Sequence, residues 1–332
     1  MSRSSTFSLT GLTLLAMIAF AGNSLLCRLA LKHTAIDAAS FTTVRLVSAS
    51  VVLCLLAGGA RGDWRDGWKA PWQACWHGGG NWPSAFALFA YAAGFSFAYV
   101  TLPAATGALL LFGAVQATMI GYGLWAGERL RPLQLVGLVV ALGGLVALML
   151  PGLAVPQATN AALSNAALSQ VDLGGSNLSS ADLSSALLMI GAGVAWGVYS
   201  LLGKAGPGSA SNAGPLAVTA GNFMRTVPLT LGLSLLMMSQ MSLDGPGVAY
   251  GVMSGALTSG VGYAIWYRVL PALKATSAAT VQLSVPVIAA AGGVVLLGEP
   301  ISLRLVLASI AILAGIALVI HNKKRVPAPT QR

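Results

Sequence analysis

One long passage occurs twice in this chain. Thr106 to Leu148 runs as an apolar helix, a short Gly127-Glu128 punctuation and a second apolar helix. Ser277 to Val319 follows the same order, with Gly298-Glu299 in the same place. The copies lie 171 positions apart and align without a gap, Gly121 on Gly292, Glu128 on Glu299 and Gly144 on Gly315. Few residues are identical. Apolar span, punctuation and small residues nevertheless recur together over some 43 positions, the mark of a duplicated structural unit. Each run is long enough to cross hydrocarbon about 30 Å thick, and two such halves are a common plan for a transporter.

Only 8% of the residues are charged and 56% are hydrophobic, against roughly 25% charge in a soluble domain, so lipid is the expected solvent. Ten spans are predicted, at 9–31, 36–58, 83–101, 104–126, 132–150, 185–204, 214–236, 247–269, 275–297 and 303–321. With the N-terminus inside, the cytoplasmic segments hold 13 of the 18 basic residues, from Arg3 through the Lys323-Lys324-Arg325 cluster to Arg332. Arg28, Lys32 and Arg304 fall outside, and Arg45 and Arg225 within spans. The positive-inside rule therefore predicts a bacterial-type inner-membrane protein with both termini cytoplasmic. The net charge of +10 faces the anionic leaflet; it forms no dense basic face, and no nucleic-acid partner is expected. The first apolar run is too long, and lacks the small-residue exit, for a cleavable signal peptide.

Five spans per half is an odd number, so the second half should enter from the opposite face, making the repeat inverted. The expected organisation is a first repeat at 1–150, a periplasmic loop at 151–184, a second repeat at 185–322 and a basic tail at 323–332. The fold class is an all-α integral membrane protein, expected to act as a monomer because both halves are already present. The first helices of the halves also align, with Ala19 to Arg28 over Ala195 to Lys204, which pairs Phe20 with Trp196. In the second helices Arg45 matches Arg225.

In these features the chain resembles the drug/metabolite transporter superfamily, specifically the ten-helix group with two EamA-like halves. The resemblance rests on the Ala195-Trp196-Gly197 type of first helix, the arginine in the second, and the Gly-Glu before the fifth. A proline common in the family's fourth helix stands here as Pro286, whereas the first half has Val115 in its place. The resemblance implies export or exchange of small metabolites.

Two segments depart from bare helix and loop. Trp64, Trp68, Trp72 and Trp76 recur every four residues among Arg65, Lys69 and Gln73. On a helix they form one stripe, the pattern of an element anchored in the membrane interface. From 160 to 184, Leu163, Leu168, Leu173, Leu178 and Leu183 recur every five residues, like a short pentapeptide repeat. That repeat is barely one coil long, and stacking is what buries such a core.

All eight carboxylates fall in loops or at helix ends. A proton-coupled cation pump usually needs an acid at membrane depth, so drug-type cation efflux is disfavoured. Arg45 and Arg225 are the charges expected near mid-bilayer. They either greet a substrate carboxylate or phosphate with a two-pronged hydrogen bond, or are tied to backbone carbonyls. The amides Asn23, Gln116, Asn222 and Gln282 should face inward, lining a pathway or locking helices together. The aromatics Phe20, Tyr91, Trp196, Tyr199 and Tyr263, with Phe95, Tyr99, Trp266 and Tyr267, pack or recognise cargo. These arginines and amides, with the first five aromatics, are the candidate substrate-binding set. Gly137-xxx-Ala141 and Ala311-xxx-Gly315 permit close helix contact, expected within one chain. Three cysteines and three scattered histidines show no disulfide, metal or catalytic spacing, and no cofactor or enzymatic activity is expected. The predicted function is alternating-access export or exchange of an amino-acid-like, anionic or zwitterionic metabolite. Carriage of lipid-linked or drug-type cargo, or a non-transporting scaffold presenting the loop, are the alternatives.

Overall fold

A computed structural model describes residues 3–61, 72–73, 75–76, 79–102, 104–127, 131–149, 180–205, 214–297 and 303–321, and these are almost entirely helical. In chain order the elements are α1 (Arg3–His33), α2 (Ala38–Arg61), α3 (Trp82–Thr101), α4 (Ala104–Trp125), α5 (Pro132–Met149), α6 (Ser180–Ala205) and α7 (Pro215–Leu236). There follow α8 (Gly245–Met253), a π-helical segment (Ser254–Val261) and α9 (Gly262–Val269), which run on as one rod, then α10 (Ala275–Gln282), α11 (Ser284–Leu297) and α12 (Leu303–His321). Helix occupies most of each stretch where a span was predicted, with an interruption at Leu283. Among the described residues, five helical rods are long and apolar enough to cross a membrane. Trp64 and Trp68 lie outside the described residues, as does most of the pentapeptide-like stretch. Its last leucine, Leu183, lies in α6, which starts at Ser180 instead of 185.

Polarity is turned inside out relative to a soluble protein. Leu14, Val100, Leu187, Leu236 and Leu257 are each more than half exposed, while Asn23, Arg45, Gln116, Asn222 and Gln282 are at most 3% exposed. Large apolar side chains pointing outward cost little in lipid, whereas amides must find partners inside.

Local chemistry sets the helix ends. The Asn81 side chain accepts from Ser84 N at 2.8 Å to open α3, and Asp244 does the same for α8 through Gly247 N. Asp37 Oδ1 accepts from Ala39 N and Ser40 N at 2.9 Å, opening α2. Its Oδ2 accepts from Ser242 N at 2.9 Å, which ties the α1–α2 turn to the segment before α8. Burial pushes the Asp37 carboxyl up, but these donors outweigh it and hold it below the usual carboxylate range. After α4 the chain turns at Gly127, whose φ of 84° suits a residue without Cβ.

Small residues set the helix crossings. Gly315 of α12 lies against the Gly137 carbonyl and Ala141 of α5, Gly193 of α6 against the Leu111 carbonyl of α4, and Gly94 of α3 against Leu188 and Ala192 of α6. The small-residue patterns of α5 and α12 thus meet within one chain. Between α2 and α7, Thr43 Oγ1 shares hydrogen bonds with Thr230 Oγ1 at 2.8 Å and Ser234 Oγ at 2.7 Å.

Candidate functional site

α4 runs unbroken through Val115, but its counterpart is interrupted at Leu283, between α10 and α11. Pro286 explains the break, because it has no N–H to give the Gln282 carbonyl and its ring crowds that oxygen. The interruption sets Gln282 and Val285 on the wall of an internal chamber.

Phe20, Asn23 and Ser24 of α1, Tyr91 and Phe95 of α3, Leu111 and Phe112 of α4, Trp196 of α6 and Tyr263 of α9 complete the lining. The free space is about 360 Å³ including its open mouth, but only about 30 Å³ admits the centre of a water molecule. Room remains for a few waters. The rings therefore nearly close the chamber, and cargo would have to displace them.

The wall is organised around Trp196. Its ring packs edge-on to Phe20 at 5.3 Å and lies 5.0 Å from both Tyr91 and Tyr263, centroid to centroid. Its Nε1–H donates to Gln282 Oε1 at 2.6 Å. Asn23 Oδ1 accepts from Ser254 Oγ at 2.5 Å and more weakly from Thr258 Oγ1 at 3.5 Å, which joins α1 to the π-helical segment. A helix widened by one residue per turn at a functional wall is a recurrent use of the π form.

Arg45 stands behind Tyr91 and Phe95, its Cζ 5.7 and 5.6 Å from their ring centroids. It is 1% exposed, and its Nε and Nη1 have no hydrogen-bond partner among the described residues. No described carboxylate pairs with it; Asp37 and Asp244 both serve helix N-termini. Arg225 is placed differently. Nη1 donates to Gly79 O at 2.6 Å and Gly221 O at 2.8 Å, and Nη2 to Trp76 O at 2.6 Å. Beside it Asn222 Oδ1 accepts from Asn81 N at 2.9 Å. A Cβ on Gly80, where φ is 75°, would fall 2.6 Å from the backbone of Gly221 and Asn222. Arg225 and Asn222 therefore bind the segment entering α3 to the middle of α7.

Six of the predicted residues thus share the chamber: Phe20, Asn23, Tyr91, Trp196, Tyr263 and Gln282. Arg45 lies one layer behind. Gln116 donates from Nε2 to Ala279 O at 2.5 Å and locks α4 to α10, while Tyr199 packs on Tyr267 at 5.1 Å. Ser24, Phe95, Leu111, Phe112 and Val285 were not in the predicted set. Phe95 could have been found one helical turn beyond Tyr91, and Ser24 beside Asn23; the three others are apolar residues in apolar helices and carry no signal of their own.

An apolar exterior, buried amides and a narrow aromatic chamber define a helical membrane protein. The chain belongs to the EamA-like transporter family, whose model matches residues 183–321. It is 49% identical over 316 residues to the uncharacterized protein PA1977 of Pseudomonas aeruginosa, covering 93% of each chain. A solved crystal structure of a protein 20% identical to it superposes with a TM-score of 0.69 over 96% of this chain and 98% of its own, and so shares the fold. The family is one of multi-pass membrane transporters of small molecules.

Proposed function

We propose that this protein is a secondary carrier that exports or exchanges a small amino-acid-like or other anionic or zwitterionic metabolite by alternating access. One observation carries the reading: a guanidinium 1% exposed, with two nitrogens that have no partner among the described residues, beside an aromatic chamber. Burying a charge without a partner costs several kcal/mol. A carboxylate or phosphate reaching the chamber offsets that cost by a bidentate, charge-assisted bond. The pattern of helix pairing supports two inverted five-helix repeats across ten spans. α2 packs on α7 and α5 on α12, and the contact of α3 with α6 is answered by that of α1 with the α8–α9 rod. On this reading the carrier sits in a bacterial inner membrane as a monomer, with both termini cytoplasmic.

Counterflow in liposomes, screened with labelled carboxylated metabolites, tests the reading. Saturable uptake is expected, with a loss of at least tenfold for Arg45→Ala. Equal transport by that variant, correctly inserted, overturns the role of Arg45.

A further inference from the structure

We propose that the chamber selects organic anions over zwitterions and cations, and that its preferred cargo is a monocarboxylate with an apolar or aromatic body. The inference rests on the carrier reading above and narrows its substrate class.

It follows from which hydrogen-bonding groups of the wall, and of the layer directly behind its rings, are already engaged. The two amide oxygens on the lining are the acceptors that would hold an ammonium group. Gln282 Oε1 is taken by Trp196 Nε1 at 2.6 Å, and Asn23 Oδ1 by Ser254 and Thr258. Gln116 Oε1 has no partner among the described residues, but it lies off the lining, on the side chain that locks α4 to α10. No carboxylate stands among the lining residues. Donors are in the opposite condition, since Arg45 keeps Nε and Nη1 unmatched behind Tyr91 and Phe95. An ammonium entering this space would meet ring faces, phenol oxygens, the Ser24 hydroxyl and amide oxygens that already accept a hydrogen bond. A desolvated cation–π contact returns less than stripping water from an ammonium costs. An Arg45 charge close behind the same rings repels it further. A carboxylate meets the reverse balance, and its apolar body fits among Phe20, Trp196 and Tyr263.

Three probes of one size separate the classes: 3-phenylpropanoate, L-phenylalanine and phenethylamine. Their binding to the full chain in nanodiscs is measured by equilibrium dialysis. The expected result is 3-phenylpropanoate bound at least tenfold more tightly than phenylalanine, with phenethylamine not retained. Arg45→Gln should bring 3-phenylpropanoate down at least tenfold, to the level of phenylalanine. The comparison in the unsubstituted protein decides the matter even if that variant does not fold. If phenylalanine binds as well as 3-phenylpropanoate or better, the carrier reading stands and the anion preference is wrong. If none of the three is retained, the chamber is not a carboxylate site, and both fall.

Discussion

Arg225 donates to three carbonyls, two of them about 146–149 positions away in the chain, while Arg45 in the matching place of the other half leaves two nitrogens unmatched. Their substitutions should therefore have opposite signatures. Arg225→Gln leaves Gly79 and Trp76 carbonyls without a charged donor, each such bond being worth about 1.5–3 kcal/mol. Thermal unfolding followed by fluorescence size-exclusion should show a clear drop in apparent Tm. Arg45→Gln removes a buried charge that has no ion-pair partner among the described residues, so Tm should hold or rise while cargo binding is lost. Asp37 supplies a pH prediction. Its carboxyl is depressed in the folded protein, so its stabilising effect is fully present above the ordinary carboxylate value of about 3.9 and is lost as pH falls through the lower folded value. Tm measured from pH 7 downward should stay level and then fall in strong acid. Asp37→Asn should start lower at pH 7 and show a shallower acid drop.

At the scale of elements, the break at Leu283 couples a proline to the chamber wall. Pro286→Ala restores the missing N–H and should let α10 and α11 merge, rotating Gln282 away from Trp196. Counterflow should then fall severalfold with Tm unchanged or raised, and a variant as active as the parent would separate the break from the site. Helix positions were legible because apolar runs of span length have few other solutions. The break was legible only as Pro286, whose family resemblance pointed to that helix. The π-helical segment had no such sign: Ser254 to Val261 reads as ordinary small and apolar residues, and the groups it meets, Asn23 and the Arg45 backbone, come from elsewhere in the chain. Sequence likewise paired Arg45 with Arg225 but held no information on the Trp76 and Gly79 carbonyls that take up the second. Tyr199 and Asn222 fell outside the chamber for the same reason, since each shares its helix with a true lining or clasping residue.

For the whole molecule, α5 and α12 pack along much of their length, most closely where Gly315 admits a neighbouring backbone. Gly315→Leu should force them apart at a cost of about 1–3 kcal/mol, read as a lower Tm, with the affinity of the folded fraction for cargo unchanged because no chamber residue lies on either helix. The charge carried by Arg45 has an electrical corollary. A bound monoanion would cancel it, so the loaded chamber would reorient without moving net charge, whereas the empty one would shift a positive charge through part of the transmembrane field. A full crossing is worth about 2.3 kcal/mol per 100 mV. Voltage should therefore govern the return of the vacant carrier, making net efflux potential-dependent and one-for-one exchange nearly indifferent to it.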